Sequence, residues 1–229
     1  MAVFLYQITT HAQSGKLGSW NAVNFTYKPD KRLSLFTELE ARSQLFIHDF
    51  YYREVKAGAG YSFSKKLSLL FAVSDCRTYS STGNFKNLQT KEFRTWEQLI
   101  WNNYLSSLRI EQRWRVEQRW VNSAYRNRFR YRLNPVFPIN KKVVMPHVFY
   151  ATVYDEIFVS DKTPYFEGHR FFTGGGYLFS KAVAFQAGFL RQYSYRAKND
   201  SKNFIQTTLQ FSMDKSNVAH TDKHPVMMN

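Results

Sequence analysis

A six-residue repeat in the middle of the chain restricts the backbone more than any other feature. Residues 108–120 read LRIEQRWRVEQRW, in which Glu-Gln-Arg-Trp returns after six positions. An α-helix turns by about 100° per residue, so it would carry Trp114 and Trp120 to different faces. A β-strand alternates its side chains between two faces, and six residues return to the same face. The repeat therefore predicts a strand with both tryptophans on one face and Arg113 and Arg119 on the other.

The segment that follows alternates in the same way and predicts a hairpin. In residues 124–134, AYRNRFRYRLN, aromatic and aliphatic side chains alternate with four arginines. With a turn at residues 121–124, Arg119 would face Arg126 and Trp120 would face Tyr125. One face of the predicted hairpin is therefore charged and the other is apolar.

The same alternation recurs along the whole chain. Strands are predicted near residues 18–28, 32–46, 51–63, 67–77, 92–101, 108–120, 124–134, 144–158, 168–179, 183–196 and 203–213. No shift in composition marks a second domain, so residues 14–213 are expected to form one β-barrel domain. Bacterial barrels favour an even number of strands. Residues 3–10 are also strand-like, and including them gives the twelve strands that we expect, with ten as the second choice.

Strand length and composition favour a membrane barrel over a soluble one. Several alternating runs reach 12 to 15 residues, whereas strands average about 5–6 residues in soluble proteins and about 9–11 in membrane barrels. Aromatic residues make up 18% of the chain and cluster towards the strand ends, as interfacial girdles do. The predicted fold is all-β, an antiparallel up-and-down transmembrane β-barrel with a polar, charge-lined lumen.

Composition also excludes other classes of protein. The formal charge of +15 would suit a nucleic-acid binder, but stacking of bases needs arginine and aromatic residues on one face. Here they alternate and lie on opposite faces, so nucleic acid is not expected as a partner. The single cysteine, Cys76, excludes an intramolecular disulfide.

The two ends of the chain lack the strand pattern. Residues 1–13 contain an apolar stretch that ends in small residues, but no basic region precedes it. We interpret them as the remnant of a truncated signal peptide. Residues 214–229 have no periodicity and are predicted to be a disordered tail.

The strand patterns resemble a known family. The stretches RTWEQL, RIEQRWRVEQR, RNRFRYRLN, YDEIF and HRFFTGGGYLF are similar to those of an uncharacterised family of predicted outer-membrane β-barrels of Bacteroidota, a domain of unknown function. The resemblance covers roughly residues 17–213. It implies a location in the bacterial outer membrane beside membrane lipid and lipopolysaccharide, and it supplies no known reaction. The chain departs from the family pattern in its incomplete signal peptide and in a final strand that ends at Met213, not at an aromatic residue.

Charged residues on the inner face predict an ion network in the lumen, because buried charges persist only when they are paired. The predicted network comprises Arg109, Glu111, Arg113, Arg115, Glu117, Arg119, Arg126, Arg128, Arg130, Arg132, Glu38, Glu40, Glu54, Glu97 and Glu156. We expect this network to fill the lumen of a protein with a structural, accessory or narrow-channel role, with other envelope proteins as further partners. The alternative is an anion-selective pore or an anionic-ligand binder, because rows of arginine select anions.

No catalytic constellation is recognisable, so we expect no enzymatic activity, metal or cofactor. The alternative is an outer-membrane lipid-modifying hydrolase, which needs a nucleophile beside a base. Two histidines, His147 and His169, fall on the predicted lipid face. The others are His48 in a turn and His11, His220 and His224 outside the strands. The candidate cluster is His169 and Arg170 beside Glu167.

Overall fold

The computed structural model describes residues 16–195 and 200–215, which form a closed β-barrel. Its strands are β1 (Leu17–Lys28), β2 (Leu33–Leu45), β3 (His48–Ser62), β4 (Leu67–Tyr79), β5 (Leu88–Leu105), β6 (Leu108–Val121), β7 (Ala124–Pro138), β8 (Val148–Ser160), β9 (Phe166–Leu178), β10 (Val183–Ser194) and β11 (Asp200–Asp214). Each predicted segment corresponds to one of these strands, which confirms the all-β barrel. Within the described residues, no helix is long and apolar enough to cross a membrane.

The barrel closes through a parallel seam between its first and last strands. Consecutive strands pair in antiparallel fashion, but β1 pairs with β11 in parallel, from Leu17 opposite Asn203 to Lys28 opposite Asp214. The predicted count of twelve strands is therefore wrong, and so is a wholly antiparallel arrangement. An odd number of alternating strands leaves the first and last running in the same direction, and their direct pairing leaves no gap for another strand. The predicted strand at 3–10 and the signal remnant at 1–13 lie outside the described residues.

The predicted hairpin is present with the expected register. Arg119 lies opposite Arg126 and Trp120 opposite Tyr125 across β6 and β7. The two turn residues, Asn122 and Ser123, have φ values of 45° and 72°. Positive φ at both central positions is the geometry that matches the twist of a two-residue hairpin. The short turn therefore sets the register that brings both arginine rows to the same face.

Because β1 and β11 are parallel, the barrel has an N-terminal end, where β1 begins, and a C-terminal end, where β11 finishes at Asp214. The connections at 29–32, 63–66, 106–107, 139–147 and 179–182 lie at the C-terminal end.

In the connection at 29–32, the backbone amides of Leu33 and Arg32 donate to Oδ1 of Asp30 at 2.8 and 2.7 Å. These bonds stabilise the carboxylate and lower the pKa of Asp30 from its ordinary value.

Strand alternation makes the outer face of the barrel apolar. Leu39 and Phe71 point outward and are 49% and 53% exposed. Aromatic side chains also pair between neighbouring strands on this face, for example Trp114 and Tyr131, whose ring centroids lie 5.4 Å apart. The inner face carries most of the charge, as the sequence predicted.

An apolar cluster fills the lumen near the C-terminal end. Its members are Val136, Val144, Val148, Tyr150, Leu178 and Ala184. Val144 comes from the 139–147 connection and is only 2% exposed, so this loop folds inward over the end of the barrel. We call these six residues the apolar plug.

Glycine in β9 lets the plug pack closely. A Cβ atom on Gly176 would overlap the hydroxyl of Tyr150 and would lie 2.6 Å from the carbonyl oxygen of Phe185. Real Cβ atoms essentially never approach other atoms so closely. The position therefore requires glycine because of its neighbours on the two adjacent strands, Tyr150 on β8 and Phe185 on β10.

Replacing Gly176 by valine should lower the free energy of unfolding by about 1–3 kcal/mol, because the added methyl groups must displace Tyr150 or the backbone of β10. Urea unfolding in detergent micelles, followed by tryptophan fluorescence, measures the change. Ala57→Val is the control, since Ala57 is exposed on the outer face, and its effect should stay within about 0.5 kcal/mol. Equal stability of the Gly176 variant and the control would contradict the close packing.

Candidate functional site: the lumenal ion network

The predicted arginine rows lie inside the barrel. Odd-numbered residues of β6 and even-numbered residues of β7 point into the lumen, because the two strands are paired through the short turn at 122–123. Arg109, Arg113 and Glu117 are 1–2% exposed. Of the predicted network, every residue except Glu97 faces the lumen. The structure divides the interior ion pairs into three groups.

The largest group, which we call the arginine cluster, surrounds two glutamates. It consists of Arg113, Arg115, Arg128, Arg130, Arg132, Arg170, Glu117 and Glu156. Glu156 is fully buried. Its Oε1 accepts from Nη2 of Arg113 at 2.5 Å and from Nη2 of Arg130 at 2.8 Å.

The second carboxylate oxygen of Glu156 meets two further arginines. Its Oε2 lies 3.5 Å from Nη2 of Arg132 and 3.4 Å from Nη1 of Arg170. One carboxylate therefore serves four guanidinium groups. This arrangement links the four neighbouring strands β6, β7, β8 and β9 on their lumenal side, and it depends on a single negative charge.

Glu117 is the second carboxylate of the arginine cluster. It accepts from Nη1 of Arg130 at 2.5 Å and from Nε of Arg128 at 2.7 Å. Arg115 lies 3.5 Å away, donates to Gln98 at 2.7 Å and stacks 4.0 Å from the ring centroid of Trp96. Arg130 thus links both carboxylates of the arginine cluster.

The second group, the wall cluster, lies on the opposite side of the lumen. It consists of Glu38, Glu40, Glu54, Arg42, Lys56 and Arg94. Lys56 pairs with Glu38 and, at 3.1 Å, with Glu40, which also accepts from Arg42 at 2.6 Å. This cluster has as many carboxylates as cations.

The third group, the rim cluster, lies near the N-terminal end. It contains Glu92, Glu167, Arg119 and Arg126, with Arg126 2.8 Å from Glu167 and Arg119 paired with Glu92. Arg94 of the wall cluster lies 2.6 Å from Glu92 and links the two groups. The rim cluster is also balanced in charge.

A buried tryptophan joins the wall and arginine clusters. The guanidinium of Arg42 lies 3.3 Å from the ring centroid of Trp20, and that of Arg170 lies 4.3 Å away. Trp20 is 3% exposed. Stacking on an aromatic face stabilises a cation by about 0.5–2 kcal/mol. Trp20 therefore helps to hold two like charges close together.

A small cavity remains between the clusters. It has a volume of about 110 Å³ and is lined by residues of the wall and arginine clusters, with Trp20 and Tyr154 among its aromatic neighbours. On the far side, towards the C-terminal end, lies the apolar plug. The cavity between the clusters has space for a few water molecules or one small ion.

Glu97 corrects one prediction. It lies on the exposed outer face of β5, where Nε2 of Gln118 donates to its Oε2 at 3.0 Å. Even-numbered residues of β5 face the lumen, and these include Glu92 and Arg94. The odd-numbered Glu97 therefore lies outside the lumen, and its prediction as a member of the network is wrong.

The network also includes cations and carboxylates that the sequence reasoning missed. Arg42 and Lys56 follow Glu40 and Glu54 by two positions, so strand alternation could have found them. Glu167 could not be found in this way. A bulge between Phe158 and Val159 of β8 shifts the register with β9, which turns Glu167 inward although its parity indicates the outer face.

The histidine cluster is divided between the two faces. His169 lies on the outer face, with Nδ1 3.3 Å from Oδ1 of Asp155 and its ring stacked on Tyr193. Arg170 and Glu167 point into the lumen instead. In the part of the chain that the structure describes, no hydroxyl or thiol group hydrogen-bonds to His169.

The remaining histidines lie apart from one another. His147 precedes β8 in an exposed connection with a φ of 62°, so it is not part of a strand as predicted. His48 begins β3, and its Nδ1 lies 3.2 Å from Asp49. The predicted positions of His11, His220 and His224 fall outside the described residues. Among residues 16–195 and 200–215, no group of three or more histidine, cysteine or acidic side chains is placed to hold a metal ion.

Comparison with known proteins gives a family and a fold. The model of a family described as "Protein of unknown function (DUF2490)" matches residues 17–203. No curated protein matches the sequence. LpxR from Salmonella typhimurium has a similar fold, with a TM-score of 0.52 over 79% of this chain and 83% of that chain, at 7% sequence identity. At this identity the similarity shows the barrel fold alone.

Proposed function

We propose a function for this chain from its own residues, since the family to which it belongs, DUF2490, has no known function. The protein is an outer-membrane β-barrel whose lumen is closed, and it has a structural or accessory role in the envelope. The observation that carries this proposal is the filled interior: three groups of ion pairs and an apolar plug occupy the lumen.

The outer face supports a location in a membrane. Its strands have 12 to 18 residues, more than the roughly 9–11 that a tilted strand needs to cross a bilayer. Leu35, Leu39 and Phe71 are each about half exposed, and so many apolar side chains exposed on one face would be unfavourable in water. Membrane lipid is thus its expected neighbour. The proposal also includes lipopolysaccharide as a neighbour and an origin in Bacteroidota.

The interior supports closure of the lumen. Each glutamate of the three groups is paired with at least one cation. These ion pairs hold the charged side chains in fixed positions inside the lumen. Ion networks of this kind fill narrow barrels. Towards the C-terminal end, Tyr150 and Leu178 are 1% and 3% exposed and exclude water. Ions would have to cross both layers to pass through.

Planar-bilayer recording tests the proposal. Full-length protein, extracted from the outer-membrane fraction and shown to be folded by circular dichroism, should give no stable conductance steps. Arg128→Ala/Arg130→Ala removes two lumenal cations, and Arg77→Ala/Arg191→Ala is the matched control, because Arg77 and Arg191 lie on the outer face.

The unmodified protein could instead give anion-selective conductance steps that the lumenal pair of substitutions alters and the control pair does not. That result would contradict the closed lumen and show that the protein is an anion-selective pore. Recovery of the chain in the soluble fraction would contradict the membrane location.

A further inference from the structure

The interior charge is unevenly distributed among the three groups. The wall cluster pairs three carboxylates with three cations, and the rim cluster pairs two with two. The arginine cluster places six guanidinium groups around Glu117 and Glu156, and Arg128 alone among them also reaches Glu167 of the rim cluster, at 3.7 Å. A surplus of four positive charges is therefore confined to one side of a buried lumen. Buried charge of this kind is costly unless a counter-ion neutralises it.

Unused hydrogen-bond donors lie on the same side. The Nε atoms of Arg132 and Arg170 are buried and have no acceptor among the described residues. Only 5% of the Arg132 side chain is exposed. Arginine cannot lose its proton in a protein, so these N–H groups remain donors at every pH of interest.

The cavity adjoins the side chains that carry these donors. Arg132, Arg170, Arg130 and Arg115 all line the space of about 110 Å³. Glu38, Glu40 and Glu54 line it from the opposite wall, where each is already paired with Lys56, Arg42 or Arg94. The side of the cavity formed by the arginine cluster therefore presents an uncompensated positive surface within reach of a bound ion.

We propose that this cavity is a binding site for a small tetrahedral oxyanion of the phosphate or sulfate type. An oxyanion offers several acceptors at once, and arginine pairs with such groups through two parallel N–H bonds. The cavity is large enough for one such ion. The site goes beyond the closed-barrel proposal and does not depend on it, because a lumen open to ions would bind the same anion while conducting.

Isothermal titration calorimetry tests the site with inorganic phosphate. The full-length protein in detergent micelles is titrated at constant ionic strength, with chloride as the background anion and sulfate as a second probe. Saturable binding of one phosphate per chain is expected. Arg132→Gln and Arg170→Gln should each weaken binding by about tenfold or more, because a charge-assisted hydrogen bond is lost. Arg77→Gln is the control and should bind as the unmodified protein does.

Circular dichroism and urea unfolding of both lumenal variants check that each is folded under the conditions of the titration. Binding of sulfate that competes with phosphate supports a site for tetrahedral oxyanions. Absence of saturable binding, or equal binding by the Arg132 and Arg170 variants and the control, would overturn the proposal. Neither result bears on conductance, so the closed barrel would be judged separately.

Discussion

Replacing Glu156 by glutamine should lower the free energy of unfolding by about 3–5 kcal/mol. Glutamine keeps the size of the side chain and removes its charge, so the change isolates the electrostatic contribution. Glu156 is fully buried and meets Arg113, Arg130, Arg132 and Arg170. Without the carboxylate, four guanidinium groups face one another in a poorly hydrated interior, and their mutual repulsion has no local partner.

Urea unfolding in micelles, with chloride as the only anion, measures this effect. Glu97→Gln is the matched control, because Glu97 is a strand glutamate on the outer face, and its effect should be below about 1 kcal/mol. Adding Arg132→Met to the Glu156 variant should restore part of the lost stability, since it removes one of the uncompensated charges. Equal effects of the two glutamine substitutions would show that Glu156 does not organise the arginine cluster.

Cysteines placed across the closing seam should form a disulfide almost completely. Phe25 of β1 lies opposite Phe211 of β11, and their rings are stacked with centroids 5.1 Å apart. Neighbouring strands lie about 4.8 Å apart, which brings paired Cα atoms within the range of a disulfide. Phe25→Cys/Phe211→Cys, made in a Cys76→Ala background, should therefore cross-link on mild oxidation. The product is a large covalent loop that migrates differently on a denaturing, non-reducing gel.

This experiment distinguishes eleven strands from twelve. An additional strand between β1 and β11 would roughly double the separation of the two cysteines and prevent the bond. Phe25→Cys/Val183→Cys is the control, because Val183 of β10 lies opposite Phe211, one strand further from β1. A cross-link in the control but not in the seam pair would contradict the parallel closure.

Much of the fold could be predicted from local sequence pattern. The six-residue repeat excludes a helix, and alternation of side chains requires only the geometry of a single strand. The register between β6 and β7 was also predictable, because a two-residue turn at Asn122 and Ser123 fixes which residues face one another. The lumenal position of the two arginine rows follows from these features.

Two glutamates show where prediction from the sequence fails. Glu97 is acidic, but the alternation of its own strand, β5, carries it to the outer face. Glu167 reaches the lumen only through the irregular pairing between β8 and β9. Neither the parity of an isolated strand nor the residue type reveals such a shift, since a bulge changes parity without leaving a reliable sequence signal.

The sequence by itself determined that this chain forms long strands with one apolar and one charged face, because side-chain alternation is a property of each strand alone. Only the tertiary structure decided that eleven strands close through a parallel seam and that four arginines converge on Glu156. Closure and convergence depend on which strands pair and in which register. Residues such as Arg113 and Glu156 lie 43 positions apart in the chain, and the registers of β6 with β7 and of β7 with β8 bring them together.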